Sequence, residues 1–312
     1  MVVKVTSTGV CGSDLSALKG THLFRKPPLI SGHEAGGIIE AVGEGVTDFK
    51  PGDRVVIDPQ RPCGECVRCT GGNYHLCPSK LMLGAAEWDG SFAHFVEVPA
   101  YTLIPAPDSV ADEDLALAEP IAVAVHAVRQ ARADEASSAL VLGGGTIGSL
   151  ITQVLADKGV QVTVSEPREF LHQTLRDFGA SRVVTPEEDP GSDYDITFIV
   201  AGLPQLVTLA CEAARPGGEI VEVAVFGKEV PVHVGRLQVQ EKTMHGTAMY
   251  QKQDFADALT LMARHPQMPS LLVSRRVGLD EGADLITRMA KEGPGDILKL
   301  IIIPGTDEDA TA

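Results

Sequence analysis

Aromatic side chains are scarce in this chain, 4% of 312 residues with a single tryptophan, and basic ones are outnumbered. Lys and Arg total 26 against 42 Asp and Glu, a formal net charge of −16. So acidic a chain has no surplus of cations to neutralise phosphates, which argues against nucleic acid or an anionic membrane as a main partner. An unbroken apolar run is missing too. The uncharged stretch Ala136–Ala156 is interrupted by Ser137, Ser138, three consecutive glycines, Thr146, Ser149, Thr152 and Gln153. It therefore reads as strand, turn and helix, not as a membrane span. A secretion signal is not expected, because Met1-Val2-Val3-Lys4-Val5 reads as a strand that runs straight into motif residues. Cysteines number only six, and a cytoplasmic protein with reduced thiols is the expectation. Glycine, by contrast, is plentiful at 32, as in turn-rich α/β enzymes.

Four of the cysteines stand at C-x2-C-x2-C-x7-C: Cys63, Cys66, Cys69 and Cys77, in the stretch 62–78. Two-residue gaps let neighbouring thiolates converge on one ion, and Gly64, Gly71 and Gly72 permit the tight backbone this needs. Four thiolates leave no open coordination position, so the lobe is expected to hold a structural zinc. Paired disulfides are the competing reading, and they suit a secreted chain better than this one. Cys211, in a helical run, reads as a core thiol. His22, His75, His94, His126, His172, His233, His245 and His265 have no motif partners and read as packing or surface residues.

Leu140-Val141-Leu142-Gly143-Gly144-Gly145-Thr146-Ile147-Gly148 ends a strand and opens a helix. Gly143, Gly145 and Gly148 fill G-x-G-x-x-G, and Thr146 and Ile147 begin the helix whose N-terminus would face a pyrophosphate. The next strand ends at Glu166, where a carboxylate accepts ribose hydroxyls and repels a 2′-phosphate. NAD is thus expected before NADP. Arg168 is the one feature on the other side, and it reads as a solvated residue at a helix start.

The length suits two domains. The first third alternates short β-rich runs (Gly37–Val42, Arg54–Ile57, Phe92–Val98) with Gly and Pro turns, in the style of a barrel or sandwich. From about Ile121 the texture becomes strand and helix in turn. Helices are expected at Ala122–Arg132, Thr146–Lys158, Arg168–Phe178, Leu206–Ala214 and Asp254–Arg264, and strands at Ala139–Leu142, Gln161–Val164, Ile196–Val200 and Glu219–Val225. That alternation implies a parallel sheet. The tail from Leu271 is mixed, passes through the apolar run Ile297–Ile303, and ends in an acidic stretch, Gly305–Ala312, expected to fray.

Further metal donors are scattered: Cys11 before Gly12-Ser13-Asp14, His33-Glu34, and Glu119 before Pro120. A catalytic zinc takes three protein ligands and one exchangeable position. Spacing alone does not bring these residues together. On residue chemistry alone Cys11 reads first as a small buried apolar residue, and Glu119 as a helix-start carboxylate.

Gly32-His33-Glu34 followed by Gly37, Gly43 and Val46, the four-cysteine lobe, Lys50-Pro51-Gly52-Asp53-Arg54-Val55, the glycine loop and Pro216-Gly217-Gly218 occur in one order. Together they resemble the zinc-dependent medium-chain alcohol dehydrogenase family over nearly the whole chain. Glu119-Pro120-Ile121-Ala122-Val123-Ala124-Val125-His126-Ala127-Val128 is similar to its sorbitol, butanediol and threonine dehydrogenase branch. The resemblance implies an α/β protein with a GroES-like β-barrel catalytic domain (1–121 and 268–312) and a doubly wound Rossmann domain (122–267), with the active site in the cleft between them. It implies two zinc ions per chain. One would be structural, and the other would be held by Cys11, His33 and one of Glu34 and Glu119, the second glutamate reaching it through water. Asp14 would orient His33, and Ser13 would take the proton of an alcohol, polyol or vicinal diol as its hydride moves to nicotinamide. A homo-oligomer, dimer or tetramer, is the family expectation.

Two departures stand out. Relatives place a histidine two residues after Asp14 to relay the proton, and here that position is Ser16. Relatives also carry about two strands before the position of Met1. The barrel is therefore expected to expose an apolar edge, and a non-catalytic remnant that still binds zinc and nucleotide is the alternative reading.

Overall fold

The computed structural model describes residues 1–22, 24–85 and 87–306, so the acidic end lies outside the described residues from 307 onward. The chain divides into two compact units, Met1–Ala122 with Tyr250 onward, and Val123–Met249. The return to the first unit thus comes at Tyr250 and not at 268. Tyr250 and Phe255 are fully buried in that unit, and the side chain of Gln251 hydrogen-bonds to the cysteine lobe, which places helix Lys252–Arg264 there as well.

The first unit is built on a seven-stranded sheet. Its hydrogen-bonded order is Val273–Val277, Lys299–Ile302, Val2–Gly9, Glu34–Ala41, Arg54–Ile57 and Leu103–Pro105, with Phe95–Glu97 also pairing to Val2–Gly9. The opening strand is therefore bonded to three others, and Val3 and Val5 are buried in a cluster with Ile39, Val55, Ile57 and Trp88. Burying each such side chain contributes about 1.5–3 kcal/mol. The apolar edge expected at the chain start is not found along this strand, because neighbouring strands cover it. A short ladder, Gln60–Arg61 with Leu81–Met82, closes the base of the cysteine lobe.

Helix Gly12–Leu18 was not expected from the sequence. Asp14 makes it: its Oδ2 accepts the Cys11 N–H at 2.9 Å and closes a capping box around Cys11.

The second unit is a six-stranded parallel sheet ordered Arg182–Val184, Gln161–Ser165, Ser138–Leu142, Tyr194–Ile199, Ala214–Glu222 and Thr243–Gly246. Counted along the chain this is 3-2-1-4-5-6, the doubly wound dinucleotide-binding order. Strands Arg182–Val184 and Thr243–Gly246 were not expected from the sequence, the strand expected from Glu219 begins at Ala214, and two expected ends differ for a visible reason. The strand ending at Glu222 stops short of Val225, because Val223 and Ala224 both donate to the carbonyl of Ile199 and leave the ladder. The helix expected at Arg168–Phe178 begins as a 3-10 turn, Glu169–Leu171, before His172–Asp177, because Glu166 Oε1 holds the Arg168 N–H and keeps residue 168 extended.

Candidate active site and metal centres

The four cysteines of the lobe meet. Their sulfurs all lie within 4.8 Å of one another, with Cys66–Cys69 at 3.5 Å, Cys63–Cys77 at 3.6 Å and Cys63–Cys69 at 3.9 Å. At a Zn–S distance of about 2.3 Å, tetrahedral geometry puts sulfurs roughly 3.8 Å apart, whereas a disulfide needs about 2.05 Å. The cluster fits one tetrahedral ion, and all six cysteines are free thiols. The backbone N–H groups of Glu65 and Cys66 pull the Cys63 thiol down to about 7, towards the thiolate a metal requires.

A second group also converges: one donor atom each from Cys11, His33 and Glu34 lies within 4.8 Å of the others. Three local devices bring them together. Cys11 caps helix Gly12–Leu18, at the end of the turn leaving strand Val2–Gly9. His33 and Glu34 sit at the start of the neighbouring strand, where Glu34 pairs with Gly9. A Cβ at Gly9 would fall 1.9 Å from Glu34 Oε2, so glycine is what lets that carboxylate occupy its place. Glu119, at the start of helix Ala118–Gln130, lies outside this trio; its Oε1 accepts from the Tyr250 hydroxyl.

Charge explains what surrounds these donors. Lys299 donates to Glu34 Oε2 and, at 3.1 Å, to the carbonyl of Val10; the Lys299 and Glu34 side chains are 2% and 3% exposed. Burial works against the ammonium, yet Glu34 and Cys11 outweigh it and hold the Lys299 pKa above its ordinary value. Burial pushes Cys11 up to about 12, with Glu34 and Asp14 adding to the effect, and Glu119 up to about 8, with Glu34 adding to it. Burial also pushes His33 down to about 3, so its imidazole is neutral and free to ligate. Burial thus keeps protons on Cys11 and Glu119 without a metal; once these donors are deprotonated, as ligation requires, a thiolate and two carboxylates against one ammonium leave two negative charges, which a divalent cation balances. Sulfur, imidazole and carboxylate are also a donor set that zinc accepts.

Asp14 and Arg25 form a separate neutral pair, with Arg25 Nη1 3.0 Å from Asp14 Oδ1 and Ser31 Oγ donating to the same oxygen at 2.5 Å. Asp14 does not bond His33 directly. Their nearest atoms are 3.7 Å apart, and Arg25 Nη1 is interposed, 2.7 Å from His33 Nδ1. Ser13 Oγ is buried without a hydrogen-bond partner among the described residues. Ser16 Oγ donates to its own helix, at the carbonyl of Gly12, so it carries no relay onward. Lys299, Arg25 and Tyr250 were missed by the sequence reading. A lysine inside the apolar run Ile297–Ile303 was the one available signal.

In the second unit, Gly143 has φ +111° and a Cβ at Gly148 would fall 1.9 Å from the Gly143 carbonyl, so both glycines are required by the turn. Gly145 caps helix Thr146–Asp157, which Thr146 and Ile147 open. Glu166 is not an unengaged acceptor. Gly144 N donates to its Oε2 at 2.8 Å, and Arg168 donates through N at 3.0 Å and Nε at 2.7 Å. Burial opposes the Glu166 charge, but these bonds outweigh it and keep the carboxyl below its ordinary range. Arg168 is therefore ion-paired to Glu166 and is not the solvated residue expected.

The family described as alcohol dehydrogenase GroES-like domain matches residues 1–108, and that described as zinc-binding dehydrogenase matches residues 146–264. The chain is 32% identical over 265 residues to 2-dehydro-3-deoxy-L-galactonate 5-dehydrogenase of Pseudoalteromonas atlantica, covering 82% of this chain and 77% of that one. It is 32% identical over 325 residues to (R,R)-butanediol dehydrogenase of Bacillus subtilis, covering 95% and 88%. A crystal structure from Sinorhizobium meliloti, described as a zinc-binding dehydrogenase bound to NADP, superposes with a TM-score of 0.90 at 28% identity, covering 97% of this chain and 92% of that one. Relatives this similar along most of both chains, with both family matches in the order the two folds require, make the chain a member of the zinc-dependent medium-chain dehydrogenase family.

Proposed function

We propose that the protein interconverts a secondary alcohol and its ketone with a nicotinamide nucleotide, a polyol or vicinal diol being the substrate class. The carrying observation is the meeting of Cys11, His33 and Glu34 beside the unpartnered Ser13 hydroxyl. Cys11, His33 and Glu34 would hold zinc directly, and Glu119, outside that trio, would add its negative charge beside them. The lobe would hold a second, structural ion. When bound, zinc supplies Lewis acidity at the alcohol oxygen and the nicotinamide accepts hydride.

The chain's own residues do the rest. Burial raises the Glu34 pKa, and Lys299 opposes that by donating to its carboxylate. Arg25 offsets the charge of Asp14 and fixes the His33 ring. Ser13 Oγ would accept the substrate's hydroxyl proton as it gives its own to solvent water, so that the proton leaves the site without a further side chain. A carboxylate-rich shell favours a substrate that brings a second oxygen. Glu166 favours NAD, and Arg168 beside it is engaged by that same carboxylate. A dimer or tetramer of this chain is the corresponding assembly. Among the described residues no helix is long and apolar enough to cross a membrane.

The test is turnover of a panel of vicinal diols, polyols and β-hydroxy amino acids with NAD and with NADP, alongside metal analysis. Two zinc ions per chain and NAD-linked turnover lost on chelation support the proposal. One zinc, nucleotide binding and no turnover would overturn it.

A further inference from the structure

Tyr250 is 0% exposed and presents its two ends to different parts of the first unit. Its hydroxyl donates to Glu119 Oε1. Its carbonyl accepts from Gln60 Nε2 at 3.0 Å, while its ring packs edge-on against Phe255 at 5.0 Å. Gln60 is in turn held by Asp58, whose Oδ1 accepts the Gln60 N–H at 3.1 Å and Nε2 at 3.2 Å. Asp58 Oδ2 accepts the Tyr74 hydroxyl at 2.6 Å, and Tyr74 stands between Cys69 and Cys77 in the lobe. The next residue repeats the connection. Gln251 Nε2 lies 3.2 Å from the carbonyl of Gly72, 3.3 Å from Asn73 Oδ1 and 3.2 Å from His75 Nδ1. The peptide Tyr250-Gln251 is thus tied to the loop that delivers the last cysteine directly through Gln251 and indirectly through Gln60, Asp58 and Tyr74.

We propose that Tyr250 is a positioning residue for Glu119, and that the four-cysteine lobe sets its position, so that the structural metal site governs the geometry of the catalytic one. A buried carboxyl near a second carboxylate has several rotamers and two protonation states open to it. A donor fixed at both ends selects among them. The lobe then has a reason to be ordered beyond its own stability: losing its metal frees residues 72–75, then Tyr250, then Glu119.

The inference rests on the proposed catalytic metal centre, and the experiment separates the two. Tyr250→Phe removes one oxygen and leaves the packing. Gln251→Ala cuts the grip on the lobe side without touching Glu119. Each purified protein is titrated with cobalt(II), and the affinity of each site is measured by chelator competition together with the visible spectrum of the carboxylate-containing site. Expected for Tyr250→Phe is wild-type affinity at the lobe, an altered cobalt spectrum, and about ten- to a hundredfold weaker binding at the Cys11 site. Gln251→Ala shifts the same readouts in the same direction by less. If the wild type binds two metals and both variants match it in spectrum and affinity, Tyr250 only packs and the inference is overturned alone. A wild type that binds metal at the lobe only overturns the catalytic centre and this inference together.

Discussion

The first unit contains two metal-ligand clusters of opposite construction. The lobe draws four identical thiols from one short stretch near the surface, where Cys63 is exposed and only Cys77 is buried. The second cluster mixes sulfur, imidazole and carboxylate from separate elements, with His33, Glu34 and Glu119 all buried. Like donors in a tight loop need little beyond each other, and water screens what remains. Unlike donors in a dry site need imported counter-charge, and Lys299 and Arg25 provide it. The lobe is therefore a local structure, whereas the second cluster is a property of the whole unit.

The sharpest way to break that contrast is to remove one ligand from the buried cluster. Cys11→Ala is expected to abolish its metal binding and lower kcat/KM roughly a hundredfold or more, while the lobe keeps its ion. Metal content per chain and steady-state kinetics on the same preparation check it. A variant that lost both ions would show that the lobe depends on the buried cluster and is not a local structure. Next in size is the counter-charge. Lys299→Met leaves Glu34 buried and unpaired, which is expected to cost about 3–5 kcal/mol in urea unfolding. The double variant Lys299→Met/Glu34→Gln should recover most of that, since it removes the stranded charge as well.

A smaller effect is expected from pH. Without metal, burial and Glu34 raise the Glu119 carboxyl from its ordinary 4.5 to about 8, so the folded chain binds this proton more tightly than the unfolded one. The resulting stabilisation is fully present below about pH 4.5 and is lost as pH rises through about 8. Metal-free protein should therefore lose stability between about pH 5 and about pH 8. Zinc should reverse the trend, because its ligands must be deprotonated. Unfolding midpoints across that window, with and without chelator, measure it, and Glu119→Gln should flatten the metal-free slope.

Legibility followed the same division between local and distant. The C-x2-C-x2-C-x7-C spacing and the G-x-G-x-x-G loop are short-range patterns whose residues must meet wherever they fold, and both could be read directly. The meeting of Cys11, His33 and Glu34 followed only from a family resemblance. Nothing in the spacing of residues 265 positions apart ties Lys299 to Glu34, or 131 apart ties Tyr250 to Glu119. Helix Gly12–Leu18 was hidden for another reason: Asp14 was read only for its place near the metal, when it also caps the helix. Arg168 was misjudged because an exposed arginine and one paired to Glu166 look alike in a sequence.

The mildest change sharpens the comparison by asking the same of both clusters. Imidazole is an accepted zinc ligand, so Cys63→His keeps a donor in the lobe, and Cys63 is exposed, which gives the larger ring room to stand. The lobe should retain its ion, with an unfolding midpoint near that of the wild type. Cys11→His makes the identical exchange beside buried His33, Glu34 and Lys299. There the ring, at a half-buried position, meets an arrangement already fixed by buried neighbours, and it removes the one thiolate from the set that balances a divalent ion. Metal at that site should be lost although the number of potential ligands is unchanged. Equal tolerance at the two positions would mean that donor count alone, and not the surrounding charge and packing, decides whether either cluster holds its metal.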